Sequence, residues 1–277
     1  MSSQDLATGW QGKLRLTYRS DRGKTQAIES QGTAPLKVQR SFYPEGEQIC
    51  HNVILHTAGG IVGGDRLQID VALQTDTHAV ITTAAAGKIY GSNGVAATQN
   101  IIHSVAADAS LEWLPQETII FDGAIFHQSL RVDLAPTATW LGWEINRFGR
   151  TARGEKFTHG EWLSATEVYR GGMPIWIDRQ WLKGGEMSDS PHNLAGYPIV
   201  GSLAWIGEPV GKDVVSAARS LFNGEPSKIG VTRLMSGLLC RYRGNSTTEV
   251  RQWFNEVWHL LRRLFLKTAP IQLRVWQ

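Results

Sequence analysis

The segment from His51 to Leu67 constrains the fold more than any other part of the chain. It begins with an apolar run and continues with two glycine pairs, Gly59-Gly60 and Gly63-Gly64. After the second pair, apolar residues alternate with polar ones, at Leu67, Ile69, Val71 and Leu73. This alternation predicts a strand with one buried face and one solvated face. The glycines predict a tight turn between two strands, where the backbone has a positive φ or approaches another segment too closely for a Cβ atom.

The same glycines raise the alternative of a phosphate-binding loop. Gly59 and Gly64 have the spacing of the loop that binds nucleotide phosphates. The next two residues are Asp65 and Arg66, whereas that loop has lysine followed by serine or threonine. The carboxylate of Asp65 would repel phosphates, and a strand rather than a helix follows it. We therefore expect no nucleotide site here.

The composition argues against several other classes of function. A net charge of +3 is too small to indicate a nucleic-acid-binding protein, and the densest basic cluster, Arg262-Arg263, is expected on the solvated face of a helix. No apolar run approaches the ~20 residues of a membrane helix, so we expect no membrane association. The sequence begins without an apolar signal segment, and Cys50 and Cys240 form no Cys-x-x-Cys motif. These features predict a reduced, cytoplasmic protein.

Short strand patterns separated by turn residues occupy most of the chain, from about residue 10 to about residue 200. They predict a mainly β protein of the α+β class, with a layered antiparallel or mixed β body. Residues 201–277 follow the order β-α-β-β-α and contain both predicted helices, one over Lys212 to Phe222 and one after the capping pair Ser246 and Glu249. No low-complexity linker precedes this part, so we expect one domain over residues 1–277.

Residues capable of catalysis or metal binding are present, but their spacing matches no catalytic motif. The sequence contains neither G-x-S-x-G nor His-x-x-x-His. Cys50 and His51 place a thiol beside an imidazole, a pair that would suit nickel, copper or zinc. On a strand, adjacent side chains point to opposite faces, so this pair would not easily chelate one ion. Cys50 and His51 are therefore weak metal candidates, with local packing as the alternative.

Six carboxylates near turns form a further set of candidates: Asp65, Glu117, Asp122, Glu144, Glu155 and Asp178. Glu144 and Asp178 stand among aromatic and aliphatic residues, where a charge is costly unless it is paired. Arginines near in sequence could pair them, namely Arg147, Arg150, Arg153 and Arg179. Two interpretations follow. The acids either form structural ion pairs or line a wet, acidic internal surface.

Several longer motifs are those of one protein family. They are Pro35-Leu-Lys-Val-Gln-Arg40, Phe42-Tyr-Pro-Glu-Gly46, Cys50-His51, Gly59-Gly-Ile-Val-Gly-Gly-Asp65, Lys88-Ile-Tyr90, Leu111-Glu-Trp-Leu-Pro-Gln-Glu117, Gly149-Arg150 and Gly154-Glu-Lys-Phe-Thr-His-Gly160. With these motifs, nearly the whole chain resembles the UreD family of urease accessory proteins, called UreH in some bacteria. One departure is Thr57-Ala58, where the family often has two prolines.

The resemblance implies a β-rich protein with a small helical pair that is not an enzyme. It implies a maturation factor that acts with the partner UreF, and through UreF with the GTPase UreG, to insert nickel into urease apoprotein. It further implies that nickel is carried in transit along an internal tunnel, with no permanently bound cofactor. On this resemblance Asp65 matches the acid of the glycine motif, and Glu144 and Asp178 match acids associated with the tunnel. The resemblance therefore implies that Asp65, Glu144 and Asp178 contact nickel along its path.

Two alternatives to a nickel path stay open at this point. A metal-dependent hydrolase that uses the same acids would need histidine ligands converging on one ion, with an open coordination position. A scaffold would use the acids only in structural ion pairs. A nickel path instead predicts spaced carboxylates and water, which hold the ion loosely.

Overall fold

Two β-sheets stacked face to face form the body of the protein. The computed structural model describes residues 9–186, 194–269 and 271–276. The strands are β1 (Gln11–Asp21), β2 (Lys24–Gly32), β3 (Leu36–Val38), β4 (Ile49–His56), β5 (Arg66–Leu73), β6 (His78–Thr83), β7 (Gly87–Ile89), β8 (Ala97–Val105), β9 (Ser110–Leu114), β10 (Thr118–Ile120), β11 (Ile125–Leu134), β12 (Thr139–Phe148), β13 (Glu161–Arg170), β14 (Met173–Lys183), β15 (Ile199–Ile206), β16 (Ile229–Leu234) and β17 (Gly237–Gly244). The α-helices are α1 (Lys212–Ser220) and α2 (Thr247–Leu261).

The strands divide between two mixed sheets. Sheet 1 has seven strands in the order β14-β13-β11-β8-β5-β1-β2. Sheet 2 has ten, in the order β16-β17-β15-β12-β9-β6-β4-β3, with β10 paired to β12 and β7 paired to β10. The predicted mainly β architecture with two helices in the C-terminal third is confirmed. Because β15, β16 and β17 join β12, the β-α-β-β-α part extends sheet 2.

The glycine-rich segment connects the two sheets. It leaves β4 in sheet 2 and enters β5 in sheet 1, and the predicted tight turn lies at its second glycine pair, where the backbone N–H of Asp65 donates to the carbonyl oxygen of Val62 at 3.1 Å. A hairpin would keep both strands in one sheet, but here the apolar run belongs to one layer and the alternating run to the other.

Alternation along the strands explains how the layers pack. In β5 the four apolar residues Leu67, Ile69, Val71 and Leu73 are buried, as predicted, and belong to the core between the sheets. The opposite face of sheet 2 forms a second core with α1 and α2. The protein therefore has three layers where the helices cover sheet 2.

Helix α2 begins as the sequence predicts, because Ser246 Oγ accepts a hydrogen bond of 3.1 Å from the backbone N–H of Glu249. Its end differs from the prediction. Arg262 is not on a solvated face but is fully buried, where a π-helical turn, Arg262–Leu266, follows α2. Its neighbour Arg263 is exposed. Within the described ranges, every helix is too short or too polar to cross a membrane.

Candidate functional site

A cavity of about 270 Å³ lies between the two sheets. Its wall in sheet 2 comes from β4, β6, β9, β12 and β15, which are consecutive neighbours. At a strand spacing of ~4.8 Å, five neighbouring strands extend over roughly 19 Å. The space is therefore elongated across the strands. It reaches from the glycine loop, which contributes Gly59 and Gly60, to a polar cluster at Glu144 and Asp178.

The strand registers place the two acids on facing sheets. In sheet 2, Glu144 is aligned with Ser202 of β15, and Ser202 is aligned with Arg241 of β17. In sheet 1, Thr166 of β13 is aligned with Asp178 of β14. Two contacts then join the layers, from Ser164 Oγ to Glu144 Oε2 at 3.1 Å and from Arg241 Nη2 to Asp178 Oδ1 at 2.6 Å. The fold thus brings together two acids that are 34 positions apart in sequence.

Glu144 lines the cavity with neutral partners around its carboxylate. Asn146 Nδ2 donates a hydrogen bond to Oε1, and Ser164 Oγ donates to Oε2. Within the described residues, no cationic side chain forms an ion pair with it. Burial raises the pKa of Glu144 above its ordinary value, and the negative charge of Asp178 raises it further. Such a carboxylate gains stability from any cation that enters the cavity.

Asp178 is half of a structural ion pair, but with a different arginine from those predicted. Its carboxylate contacts Arg241 and accepts a hydrogen bond of 2.9 Å from Gln180 Nε2. Arg179 pairs with Glu167 instead. The reason is the alternation of β14, which points Arg179 away from Asp178. The ion-pair interpretation therefore holds for Asp178 and not for Glu144.

Arg147 also points away from the cavity, on the opposite face of β12 from Glu144. The remaining candidate acids have structural partners. Glu117 accepts from Arg251 Nη2 at 2.6 Å, Glu155 forms an ion pair with Arg150, and Asp122 accepts from the backbone N–H groups of Thr158 and His159.

Asp65 lies outside the residues that line the cavity. It is completely buried, and its two carboxylate oxygens accept hydrogen bonds from the backbone N–H groups of Trp10, at 2.8 Å, and Val62, at 2.9 Å. It therefore fixes the glycine loop against the start of β1. The structure unites Glu144 and Asp178 in one site but leaves Asp65 apart from them.

The glycine pairs are explained by the close packing of that loop. A Cβ atom on Gly60 would lie 2.4 Å from the ring of Tyr90, and one on Gly63 would lie 2.6 Å from the carbonyl oxygen of Val95. Gly64 has φ +91°. Both predicted reasons for the glycines, close approach and positive φ, are confirmed at these positions.

His56 is a cavity residue that the sequence analysis did not single out. Its Nδ1 lies 3.0 Å from the carbonyl oxygen of Ala58 and donates to it, which leaves Nε2 as the ring nitrogen without this contact. Nε2 is buried and has no hydrogen-bond partner within the described residues. A backbone carbonyl on one ring nitrogen is the usual arrangement around metal-binding histidines. No motif in the sequence predicts this arrangement of His56, since its hydrogen-bond partner is a backbone atom.

Cys50 and His51 do point to opposite faces of β4. Cys50 is buried between the sheets, 3.5 Å from Asn52 Oδ1, and burial raises the pKa of its thiol. His51 faces the other way and donates to Glu45 Oε1 at 2.7 Å. The pair therefore cannot hold one ion together. In the part of the chain that the structure describes, no three His, Cys, Asp or Glu side chains converge as a metal site.

Comparison with known proteins identifies the family. Residues 11–277 match the family model described as "UreD urease accessory protein". The chain is 59% identical over 276 residues to the urease accessory protein UreD of Nostoc punctiforme, with 99% of each chain covered. It is 59% identical to the protein of that name from Trichormus variabilis, with 97% of this chain and 96% of the relative covered. The one from Synechocystis sp. is 43% identical, with 92% and 96% covered. The chain belongs to the UreD family of urease accessory proteins.

Proposed function

We propose that this chain is a non-catalytic maturation factor that conducts nickel through the cavity between its sheets to urease apoprotein. The observation that carries the proposal is the facing pair Glu144 and Asp178 in an elongated cavity. Urease apoprotein is proposed as the recipient of the nickel because the chain belongs to a family of urease accessory proteins. Nickel is cargo in this proposal, and no resident metal is required.

The ligands in the cavity suit the passage of nickel better than its tight binding. Carboxylate, imidazole and water are all acceptable ligands for a borderline cation such as nickel. Glu144 carries no cationic partner in the described residues, and Asp178 must share its charge with Arg241. His56 offers one ring nitrogen, Nε2, near the other end of the cavity wall. Separated single ligands can pass an ion between them, whereas a convergent set would retain it.

The proposed assembly follows the family resemblance. The chain binds UreF and urease apoprotein, and UreG joins through UreF and hydrolyses GTP. Asp65-Arg66 in place of a lysine and a hydroxyl residue is consistent with this division, since the chain itself has no phosphate-binding loop. A hydrolase using the same acids would need convergent histidines, and the described residues provide none.

The decisive experiment is the combined substitution Glu144→Gln and Asp178→Asn, with the chain co-expressed with UreF, UreG and urease. Both changes keep side-chain shape, and Arg241 stays 37% exposed, so water can solvate it. We expect urease to co-purify normally but its nickel content to fall by roughly tenfold, a loss within the range seen when groups around a metal are changed.

The matched control is Glu167→Gln, because Glu167 lies on the same strand as Thr166 but pairs with Arg179 on the outer face. It should leave nickel loading unchanged. Normal nickel content in urease matured by the folded double variant would rule out the conduit. Loss of co-purification would instead assign the two acids a scaffold role.

A further inference from the structure

A second cavity, of about 390 Å³, lies on the outer face of sheet 2 at its β7-β10-β12 edge. Its wall is formed by four basic residues, two aromatic residues and two aliphatic ones: Lys88, Arg147, Arg150, Arg153, Tyr90, Phe121, Ile119 and Ala152. We name this the basic pocket. Among the described residues, the basic pocket has no acidic residue in its wall, whereas the interlayer cavity contains Glu144 and Asp178.

The strand register explains why the basic residues share a face. Ile119 of β10 is aligned with Lys88 of β7 on one side and with Arg147 of β12 on the other. Aligned residues on neighbouring strands point the same way. Arg150 and Arg153 come from the short turn that follows β12. Glu144 and Asn146 lie on the opposite face of β12 from Arg147, so β12 separates the basic pocket from Glu144, whereas Lys88 borders both spaces.

Most of the positive charge in the pocket is not neutralised. Glu155 pairs with Arg150, and its Oε2 accepts from Nε at 2.7 Å. Within the described residues, Lys88, Arg147 and Arg153 form no ion pair. Nε of Arg147 is also buried without a hydrogen-bond partner there. The three cations without an ion pair carry a charge of +3, which is as large as the net charge of the whole chain, so positive charge is concentrated at this pocket.

An aromatic pair holds the pocket in shape. The rings of Tyr90 and Phe121 meet edge to face with centroids 4.9 Å apart, and the Arg150 guanidinium lies 4.7 Å from the centroid of Phe121. The hydroxyl of Tyr90 donates to the carbonyl oxygen of Gly59, which lines the interlayer cavity. The pocket thus combines fixed rings with cations, and it contacts the glycine loop from outside.

The spacing of the charges favours a peptide over a single anion. Lys88 and Arg147 are two strands apart, roughly 10 Å between backbones at the usual spacing, so the pocket spreads its charges over a wall wide enough for several carboxylates. Residues three positions apart in an extended segment are separated by roughly 10 Å, so acidic side chains along such a segment can reach both cations. We propose that the basic pocket is the docking site for an acidic peptide segment of a partner protein, with Tyr90 and Phe121 packing against its apolar side chains. This proposal does not depend on nickel passage.

The test uses the full chain and a fluorescent octapeptide of glutamate, leucine and tyrosine, with a lysine-containing peptide of the same length as the reference. We expect saturable anisotropy for the acidic peptide only, weakened as salt rises, because exposed charges are screened beyond ~10 Å at 0.1 M ionic strength. The double variant K88E/R153E, at two residues on the pocket wall, should weaken binding by roughly a hundredfold, since each reversed contact is expected to cost about tenfold. The neutral double variant K88A/R153A should show a smaller loss in the same direction.

The control is Arg19→Glu, an exposed arginine in β1 of the other sheet. An equal loss of binding in this control would show that only overall charge matters and would overturn the proposal. Absence of acidic-peptide binding to the wild-type chain would overturn it too. Full displacement of the peptide by inorganic phosphate, at an ionic strength where chloride displaces none, would reassign the pocket to a phosphate compound.

Discussion

The Nε atom of Arg262 lies 3.2 Å from Oε2 of Glu112, and both side chains are withdrawn from solvent, with exposures of 0% and 1%. This ion pair joins the end of α2 to the outer face of sheet 2. Arg262 also contacts Glu45 at 2.8 Å, and Glu112 accepts from His78 Nε2 at 2.5 Å. Although burial opposes ionisation, the hydrogen bond and charge of His78, with the charge of Arg262, lower the pKa of Glu112.

Replacing Arg262 tests whether its ion pair with Glu112 stabilises the packing of α2 on sheet 2. Arg262→Met keeps the length of the side chain but removes the arginine that pairs with both Glu45 and Glu112. We expect a loss of about 3–5 kcal/mol in the free energy of unfolding, the range found when one member of a buried pair is removed. Urea denaturation of the full chain measures it. Arg263→Met, at the exposed neighbouring position, should change stability by less than about 0.5 kcal/mol. Equal effects of the two changes would contradict this role.

The sequence predicts strands better than it predicts these polar partners. The alternation at Leu67 to Leu73 specifies a face within one strand, because its period is local. Whether Arg262 is solvated or buried depends on Glu112, which is 150 residues away and belongs to another element. Asp178 likewise pairs with Arg241 because the strand registers place the two residues together, although they are far apart in sequence. The glycine pairs indicate a constrained loop, but the two glycine-flanked strands give no sign that they belong to different sheets.

Glu144 should make stability depend on pH in a defined direction. Its folded-state pKa is raised above the ordinary 4.5, mainly by burial, so the folded protein holds the proton more tightly than the unfolded chain. Stability contributed by this group is therefore present below pH 4.5 and is lost as pH rises through the folded pKa. Glu144→Gln removes this dependence. The melting temperature of Glu144→Gln relative to wild type should rise as pH increases from 4.5 towards neutrality.

Two comparisons make that measurement specific. Glu167→Gln removes a carboxylate whose pKa is lowered below its ordinary 4.5, chiefly by its hydrogen bond from Arg179, so its difference from wild type should stay constant above pH 4.5 and change only as pH falls below that value. Added nickel should also reduce the difference between wild type and Glu144→Gln if the ion binds the ionised carboxylate. A difference that is independent of pH would show that Glu144 titrates normally.

The edge strand β14 should limit the solubility of the isolated chain. Its outward face exposes Met173, Ile177 and Trp181, with exposures of 69%, 45% and 59%. An exposed apolar edge strand can pair with another chain. We expect the isolated protein to aggregate, and its proposed partner UreF to improve its solubility. Ile177→Lys combined with Trp181→Lys should reduce aggregation in sedimentation. Ile28→Lys, at an isolated exposed isoleucine on the opposite edge of sheet 1, should not. A monomer unaffected by UreF would contradict this expectation.

Replacement of Asp65 should mainly lower stability, whereas replacement of Glu144 should mainly lower the nickel content of urease. Asp65→Ala removes the acceptor of two part-buried backbone N–H groups, those of Trp10 and Val62, and the loss for each is at most the ~1–3 kcal/mol of a fully buried unpaired donor. Its first effect should therefore be a lower melting temperature and a glycine loop that proteases cut more readily. Asp65→Asn keeps one acceptor oxygen and should lose less stability.

Glu144→Gln should melt at least as high as wild type at neutral pH and still lower the nickel content of urease. Measured at a temperature where every variant is folded, Asp65→Ala should load urease with nickel nearly as well as wild type. A nickel defect in a stable, fully folded Asp65→Asn protein would instead show that Asp65 contacts the ion, as the family resemblance implies.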